Sequence, residues 1–276
     1  MMSDWIVELV GKMINKCLPR VVLLILMGYS SLLSATPYKR IVSLDICSDW
    51  MLTTYAQRAQ VAALSPLLDN YQVDWVRGEW PTHDGSLEEI LELEPDLVIA
   101  GEYNAVVLRG RLSELGINVK ILPLPDSLNS LLDYMQQFLS LVGNTASEIP
   151  VLSDLPTPDS DAPRLLLLGA NAIGTGTQTM EHEVLQQAGW RNYITRSGYG
   201  KLDLEQLIID PPDAVLWSTP TSRALANMFI EHPALKKVMK HKVSQNLTFG
   251  VWQCAGPWTW QQIEKLTTLR EQWQQK

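Results

Sequence analysis

Apolar residues recur along the chain in a few distinct patterns. Short apolar runs with almost no polar face, Leu97 to Ala100 and Ala214 to Trp217, predict strands buried on both sides, as parallel strands are, and Arg40 to Asp45 and Arg164 to Gly169 predict a further strand opening each half. Leu128, Leu131, Leu132, Met135, Phe138, Leu139 and Val142 recur at three- and four-residue steps and predict one amphipathic helix from Asp126 to Val142. Asp126 or Ser127 caps it and Gly143-Asn144 ends it. At about 1.5 Å per residue such a helix is roughly 25 Å long, enough to join two small lobes. The stretch from Pro150 to Pro163, rich in proline and aspartate, reads as an exposed linker.

At the N-terminus the pattern is different. Lys12, Lys16 and Arg20 precede an apolar run from Val21 that continues to Leu33, followed by Leu33-Ser34-Ala35. A charged region, a short apolar run and a small-residue site form a secretory signal. The run is shorter than the roughly 20 residues a membrane span needs. This predicts a signal peptide over residues 1–35 and an exported, periplasmic protein, with a single uncleaved anchor helix as the alternative and Met13 as an alternative start. Cys17 precedes the apolar run, is not placed for lipid attachment, and leaves with the signal.

Two segments echo each other. Ser86 to Ala100 and Asp203 to Trp217 align without a gap, each with an N-cap residue (Ser86, Asp203), Glu89 or Gln206 at the third helical position as in a capping box, a proline stop, and an Asp before an apolar strand. The fold class that follows is α/β, two Rossmann-like lobes with central parallel sheets joined by one long connecting helix, with a ligand cleft between the lobes. The expected divisions are an N-terminal lobe at 38–125, the connecting helix at 126–144, a linker at 145–162 and a C-terminal lobe at 163–276.

Composition narrows the chemistry. Lys and Arg total 22 against 30 Asp and Glu, a net charge of -8, and no basic run occurs, so a nucleic-acid partner is not expected. Aromatics are lopsided, ten Trp and eight Tyr against three Phe, which suits a cleft with flat apolar walls as well as a core. In open parallel sheets ligands bind beyond the carboxyl ends of the strands. The loops there nominate Cys47, Asp49, Trp50, Trp80, His83, Tyr103, Asn171, Trp217, Arg223, Trp252, Cys254 and Trp258 as ligand-binding residues.

Other chemistries are less well supplied. His83 alone of four histidines lies in the first lobe, with His182, His232 and His241 in or beside expected helices, too dispersed for a bare metal site. Gly174 to Thr177 lacks a P-loop lysine and reads as a glycine-rich turn facing the ligand. No Gly-x-Ser-x-Gly elbow occurs, and no catalytic set is nominated. Cys47 and Cys254, one per lobe, form a disulfide across the cleft, contact a haem or metal as soft ligands, or pack as small thiols.

The motifs KRIVSLDICSDW (39–50), GSLEEILELEPDLVIAGEY (85–103), GTGTQTMEHEVLQQAGWRNY (174–193), YGKLDLEQLIIDPPDAVLW (199–217) and VWQCAGPWTW (251–260), in this order around a single connecting helix, resemble the periplasmic substrate-binding proteins of ABC importers for iron-siderophores and vitamin B12. That resemblance implies two rigid lobes, a shallow cleft and a monomer that delivers a small-molecule metal chelate to permease and ATPase subunits, with no cofactor and no catalysis. It also implies that Glu88 and Glu205, equivalent in the echo, dock on the permease; ordinary first-turn glutamates are the alternative. Arg223 and His83 are the only nominated groups favouring an anion, so a hydroxamate or corrinoid fits better than a charged catecholate. A haem- or metal-ion-binding protein of the same fold, or an exported two-lobe α/β enzyme, is the alternative reading.

Overall fold

A computed structural model describes residues 38–71, 73–149, 157–218, 232–238 and 250–275. The expected signal peptide, Arg223 and His241 lie outside the described residues. No helix among the described residues is long and apolar enough to cross a membrane.

The first lobe is built on a parallel four-stranded sheet in the order β2-β1-β3-β4: β1 Ile41–Ser43, β2 Val61–Ala63, β3 Leu97–Gly101 and β4 Val119–Leu122. Leu97 to Ala100 of β3 are all buried, so its lack of alternation reflects cover on both faces. Helix α1, Ile46–Tyr55, follows β1 directly, and α2, Leu67–Asn70, follows β2. Helix α3, Leu87–Glu92, precedes β3, and α4, Val106–Glu114, lies between β3 and β4.

The second lobe departs from the all-parallel expectation. Its central strand β5, Arg164–Leu168, pairs in parallel with β9, Ala214–Trp217, and with β7, Arg191–Asn192, but antiparallel with β6, Ile173–Thr175. β6 pairs antiparallel with β8, Tyr199–Lys201. The glycine-rich run expected as a turn is therefore largely a strand. Gly176 continues its pairing, donating to Gly198 O, and a Cβ there would collide with the backbone of Arg196. The backbones come so close that only glycine fits. Helices α6, Met180–Gln187, α7, Leu204–Ile209, α8, Pro233–Val238, and α9, Trp258–Gln274, complete the lobe.

The echo is visible in the fold and extends beyond its sequence limits. Ser86 and Asp203 cap α3 and α7. Asp96 accepts the backbone N–H of Lys39 and Arg40 at the foot of β1, and Asp213 accepts that of Arg164 at the foot of β5. The Arg40 side chain donates to Leu93 O and Glu94 O at the end of α3, while that of Arg164 binds Asp210 and Pro211 O at the end of α7. The capping box closes in neither copy among the described residues: the Glu89 carboxylate accepts from the Asp84 N–H instead of from that of Ser86, and Asp203 caps α7 without a return bond to the Gln206 side chain.

The connecting helix α5, Leu128–Val142, runs as expected, with Ser127 as N-cap and Gly143 in the left-handed conformation at φ 66°. It is tied to both lobes. Its Leu128 N–H donates to Glu183 of α6 at 2.7 Å, while at its other end Gln60 donates to Val142 O and Asn144 to Tyr55 O. At the end of the linker Ala162 and Pro163 are buried, contrary to an exposed reading there; residues 150–156 lie outside the described residues.

One apolar cluster crosses the molecule without a break, joining Ile41, Leu97 and Ile99 of the first sheet to Met135 and Phe138 of α5 and to Leu165, Leu167 and Leu216 of the second. Packed interiors resist continuous deformation. The lobes cannot swing apart without exposing this core.

Asp49 lies within that interior. It is fully buried in α1, accepts the Ser65 backbone N–H at 2.9 Å and meets the Ser65 hydroxyl at 2.5 Å. Burial pushes its carboxyl up to about 7, against the lowering effect of the serine bonds. The folded state therefore holds a proton there that the unfolded state has released, and its stability falls as pH rises from about 4 to 7. Asp49→Asn is expected to flatten this part of the denaturation profile and raise Tm most at pH 8. An unchanged slope relative to wild type would show that Asp49 is already ionised in the fold.

Candidate functional site

The carboxyl ends of β1 and β3 meet at Asp45, which caps α1. One carboxylate oxygen of Asp45 accepts from the backbone N–H of Cys47 and Ser48, both at 3.0 Å, and the other accepts from Ser48 Oγ at 2.8 Å and Gly101 N at 2.7 Å. This buried, hydrogen-bonded carboxylate fixes the first wall of a cleft. On that wall a cavity of about 260 Å³ is lined by Asp45, Cys47, Glu102, Tyr103, Asn104 and Tyr134, among others. Tyr103 is 72% exposed. Glu102 accepts the Leu124 N–H, and burial, with the charge of Asp45, raises the pKa of the Tyr134 phenol. Ala105, at φ 47°, turns the chain from this loop into α4. A left-handed alanine is strained, and such strain collects at binding sites.

The second wall holds a cavity of about 380 Å³ lined by Gly169, Ala170, Thr175, Glu181, Tyr199 and Trp252, among others. Leu124, Pro125, Gln253 and Ala255 border both cavities, so the two form one trough across the lobes. The Tyr199 hydroxyl donates to Glu181 at 2.8 Å. Burial raises the Glu181 carboxyl, and burial together with the Glu181 charge raises the Tyr199 phenol. Gln253 spans the floor, accepting the Gly250 N–H and donating to Ser218 O at 2.8 Å. Trp252 is 7% exposed, and its indole N–H is buried with no hydrogen-bond partner among the described residues.

Cys47 and Cys254 are joined by a disulfide, which resolves the three sequence alternatives in favour of a covalent tie between the lobes. Beside it Trp50 stacks on Trp258 with ring centroids 3.5 Å apart and on Trp75 at 4.8 Å. Gly250, at φ 96°, sits against the Trp50 ring and the Cys254 sulfur, where a side chain would be both strained and crowded.

Of the residues expected to bind ligand, Cys47, Tyr103 and Trp252 line the trough. Cys254 lies buried behind it in the disulfide, and Asn171 is exposed next to Ala170. The other described ones lie away from the trough. Trp50 is interior because the segment after β1 is the first turns of α1, not a loop, and Asp49 is directed inward with it; Trp258, at the start of α9, is buried against the Trp50 ring. Trp217 ends β9 inside a cluster with Leu166 and Val215. His83 is buried; its Nδ1 accepts the Gly85 N–H, so Nε2 carries the proton donated to Ser43 O at 2.8 Å. Trp80 lines a separate hollow under the Arg58 guanidinium, 4.9 Å from its ring centre. Glu181 and Tyr199 were not nominated. The signal would have been reading Gly174 to Thr177 as a strand, which places Tyr199 on its partner.

The architecture is that of a two-lobed solute-binding fold, with a trough at the sheet ends and a single helix between the lobes. Among solved structures it is similar to the periplasmic vitamin B12-binding protein of Vibrio cholerae, with 18% identity, TM-score 0.60 and coverage of 87% of this chain and 99% of that one. It is also similar to a possible iron-binding periplasmic solute-binding protein of Staphylococcus epidermidis, with 18% identity, TM-score 0.60, and 86% and 98% covered. A periplasmic haem-binding protein of Pseudomonas aeruginosa matches at 19% identity and TM-score 0.57, with 84% and 92% covered. No family model and no curated protein matches the chain.

Proposed function

We propose that this protein is the periplasmic substrate-binding component of an ABC importer, taking a metal chelate of low net charge, corrinoid or hydroxamate in type, and presenting it to the permease. The fold shared with vitamin B12-, iron- and haem-binding proteins supports the general role. The composition of the trough carries the choice of ligand. Its described lining includes Asp45, Glu102 and Glu181 and no lysine, arginine or histidine. An anionic catecholate, or the propionates of haem, would meet carboxylates there. A neutral chelate instead meets aromatic and apolar surface, with Asn104 and Tyr103 as polar contacts.

Haem is the second reading, favoured by the exposed Tyr103 as an oxygen donor. Tyr199 is a poor partner for it, because its phenol is held protonated against Glu181. Native mass spectrometry with cobalamin, ferric hydroxamates, ferric catecholates, haem and divalent metals tests the proposal. A one-to-one adduct with cobalamin or a hydroxamate supports it. An adduct with haem or a catecholate alone overturns the charge argument, and no adduct at all overturns the chelate reading. Tyr103→Ala and Trp252→Ala are each expected to weaken binding about tenfold or more, about 1.4 kcal/mol, by calorimetry. Unchanged affinity in both would mean that the ligand sits elsewhere.

A further inference from the structure

We propose that the second lobe carries a separate binding site for a compact organic polyanion, a phosphate ester or a polycarboxylate. A cavity of about 400 Å³ lies at β7, β8 and the start of α7 and shares no lining residue with the trough. Arg164, Arg191, Arg196 and Lys201 converge on it, against the carboxylates of Asp203 and Asp210. In a chain of net charge -8 this is a local reversal of sign.

The two carboxylates are already engaged. Asp203 accepts the backbone N–H of Glu205 and Gln206, and Asp210 is paired with Arg164 at 2.8 Å. The side-chain partners of Arg191 and Arg196 are carbonyl oxygens, Ser160 O and Lys201 O respectively. A carbonyl orients a guanidinium without cancelling its charge. Lys201 has no carboxylate partner among the described residues. Gly200 makes room for the Arg196 guanidinium, since a side chain there would collide with it. The arginines are thus held in place, and guanidinium groups match phosphate and carboxylate oxygens in pairs.

The rest of the lining sets the ligand's size and body. A cavity of this volume falls in the range of small-molecule sites, roughly 300–1,000 Å³. Tyr193, with Arg164 over its ring at 5.6 Å, Ile194 and Leu202 give it apolar surface. The combination suits a small organic molecule with clustered negative charge better than a bare halide, and it acts independently of whatever occupies the trough.

Calorimetric titration of the exported chain, without trough ligand, with citrate as the polycarboxylate and glycerol phosphate as the phosphate ester, tests this. Saturable one-to-one binding of at least one of them is expected, weakening as salt is raised. Arg196→Gln combined with Lys201→Gln should reduce that affinity about tenfold or more, while Tyr103→Ala leaves it unchanged. Both substituted residues are exposed, and circular dichroism confirms the fold; Lys201→Gln alone gives the same direction with less perturbation. No saturable binding of either probe at millimolar concentration overturns the proposal, as does wild-type affinity in the double variant.

Discussion

Uptake of the proposed chelate is expected to be lost when Glu88 and Glu205 are both changed to arginine, while the affinity of the isolated protein for its ligand stays the same. Both glutamates are exposed in the first turns of α3 and α7, the two helices of the internal echo, and neither lies in an ion pair among the described residues. Each is favoured where it stands by the positive end of its helix, a contribution of about 0.3–1 kcal/mol. Reversal therefore costs the fold little. At an interface with cationic partners it replaces attraction by repulsion, which is worth several kcal/mol for each close pair. Uptake of labelled chelate in cells, set beside calorimetry on purified protein, separates the two effects. Normal uptake in the double variant would move the docking surface elsewhere, and reduced ligand affinity would place the glutamates at the ligand.

Loss of the Cys47–Cys254 disulfide should produce the largest change in stability. The bond closes a loop across a sequence separation of 207 residues, and the chain-entropy relation then gives about 5 kcal/mol of stabilisation. The Cys47→Ala/Cys254→Ala variant is expected to unfold at markedly lower denaturant concentration than the oxidised wild type, with reductant shifting only the latter. Because both cysteines adjoin the Trp50–Trp258 stack, tryptophan fluorescence should report the same transition. A non-reducing digest without a linked peptide pair containing Cys47 and Cys254 would refute the bond directly. Retained ligand affinity in the variant would assign the bond to stability; a faster ligand off-rate would assign it to holding the trough closed.

Much of the scaffold was legible because its signals are local. Ser86, Asp203 and Ser127 announce helix starts through side-chain oxygens that reach N–H groups two or three residues away, and Gly143 announces an end through a backbone angle that glycine adopts readily. The buried strands at 97–100 and 214–217 were legible because two-sided burial leaves no polar alternation. The site was less so. Whether a tryptophan near a strand end faces a ligand or a neighbouring helix depends on what packs on it from far along the chain. Trp50 meets Trp258 over two hundred residues away, and His83 reaches back to the carbonyl of Ser43.

The sequence by itself determined the α/β class, the paired helix–strand units, the connecting helix and the trough's location at the strand ends, since periodicity, caps and turn residues act over a few neighbours. The tertiary structure alone decided the mixed second sheet, the disulfide, the inward turn of Asp49, Trp50, Trp217 and Trp258, and the pairing of Glu181 with Tyr199. Those outcomes depend on which distant surfaces meet, and close packing between such surfaces fixes the direction of each side chain.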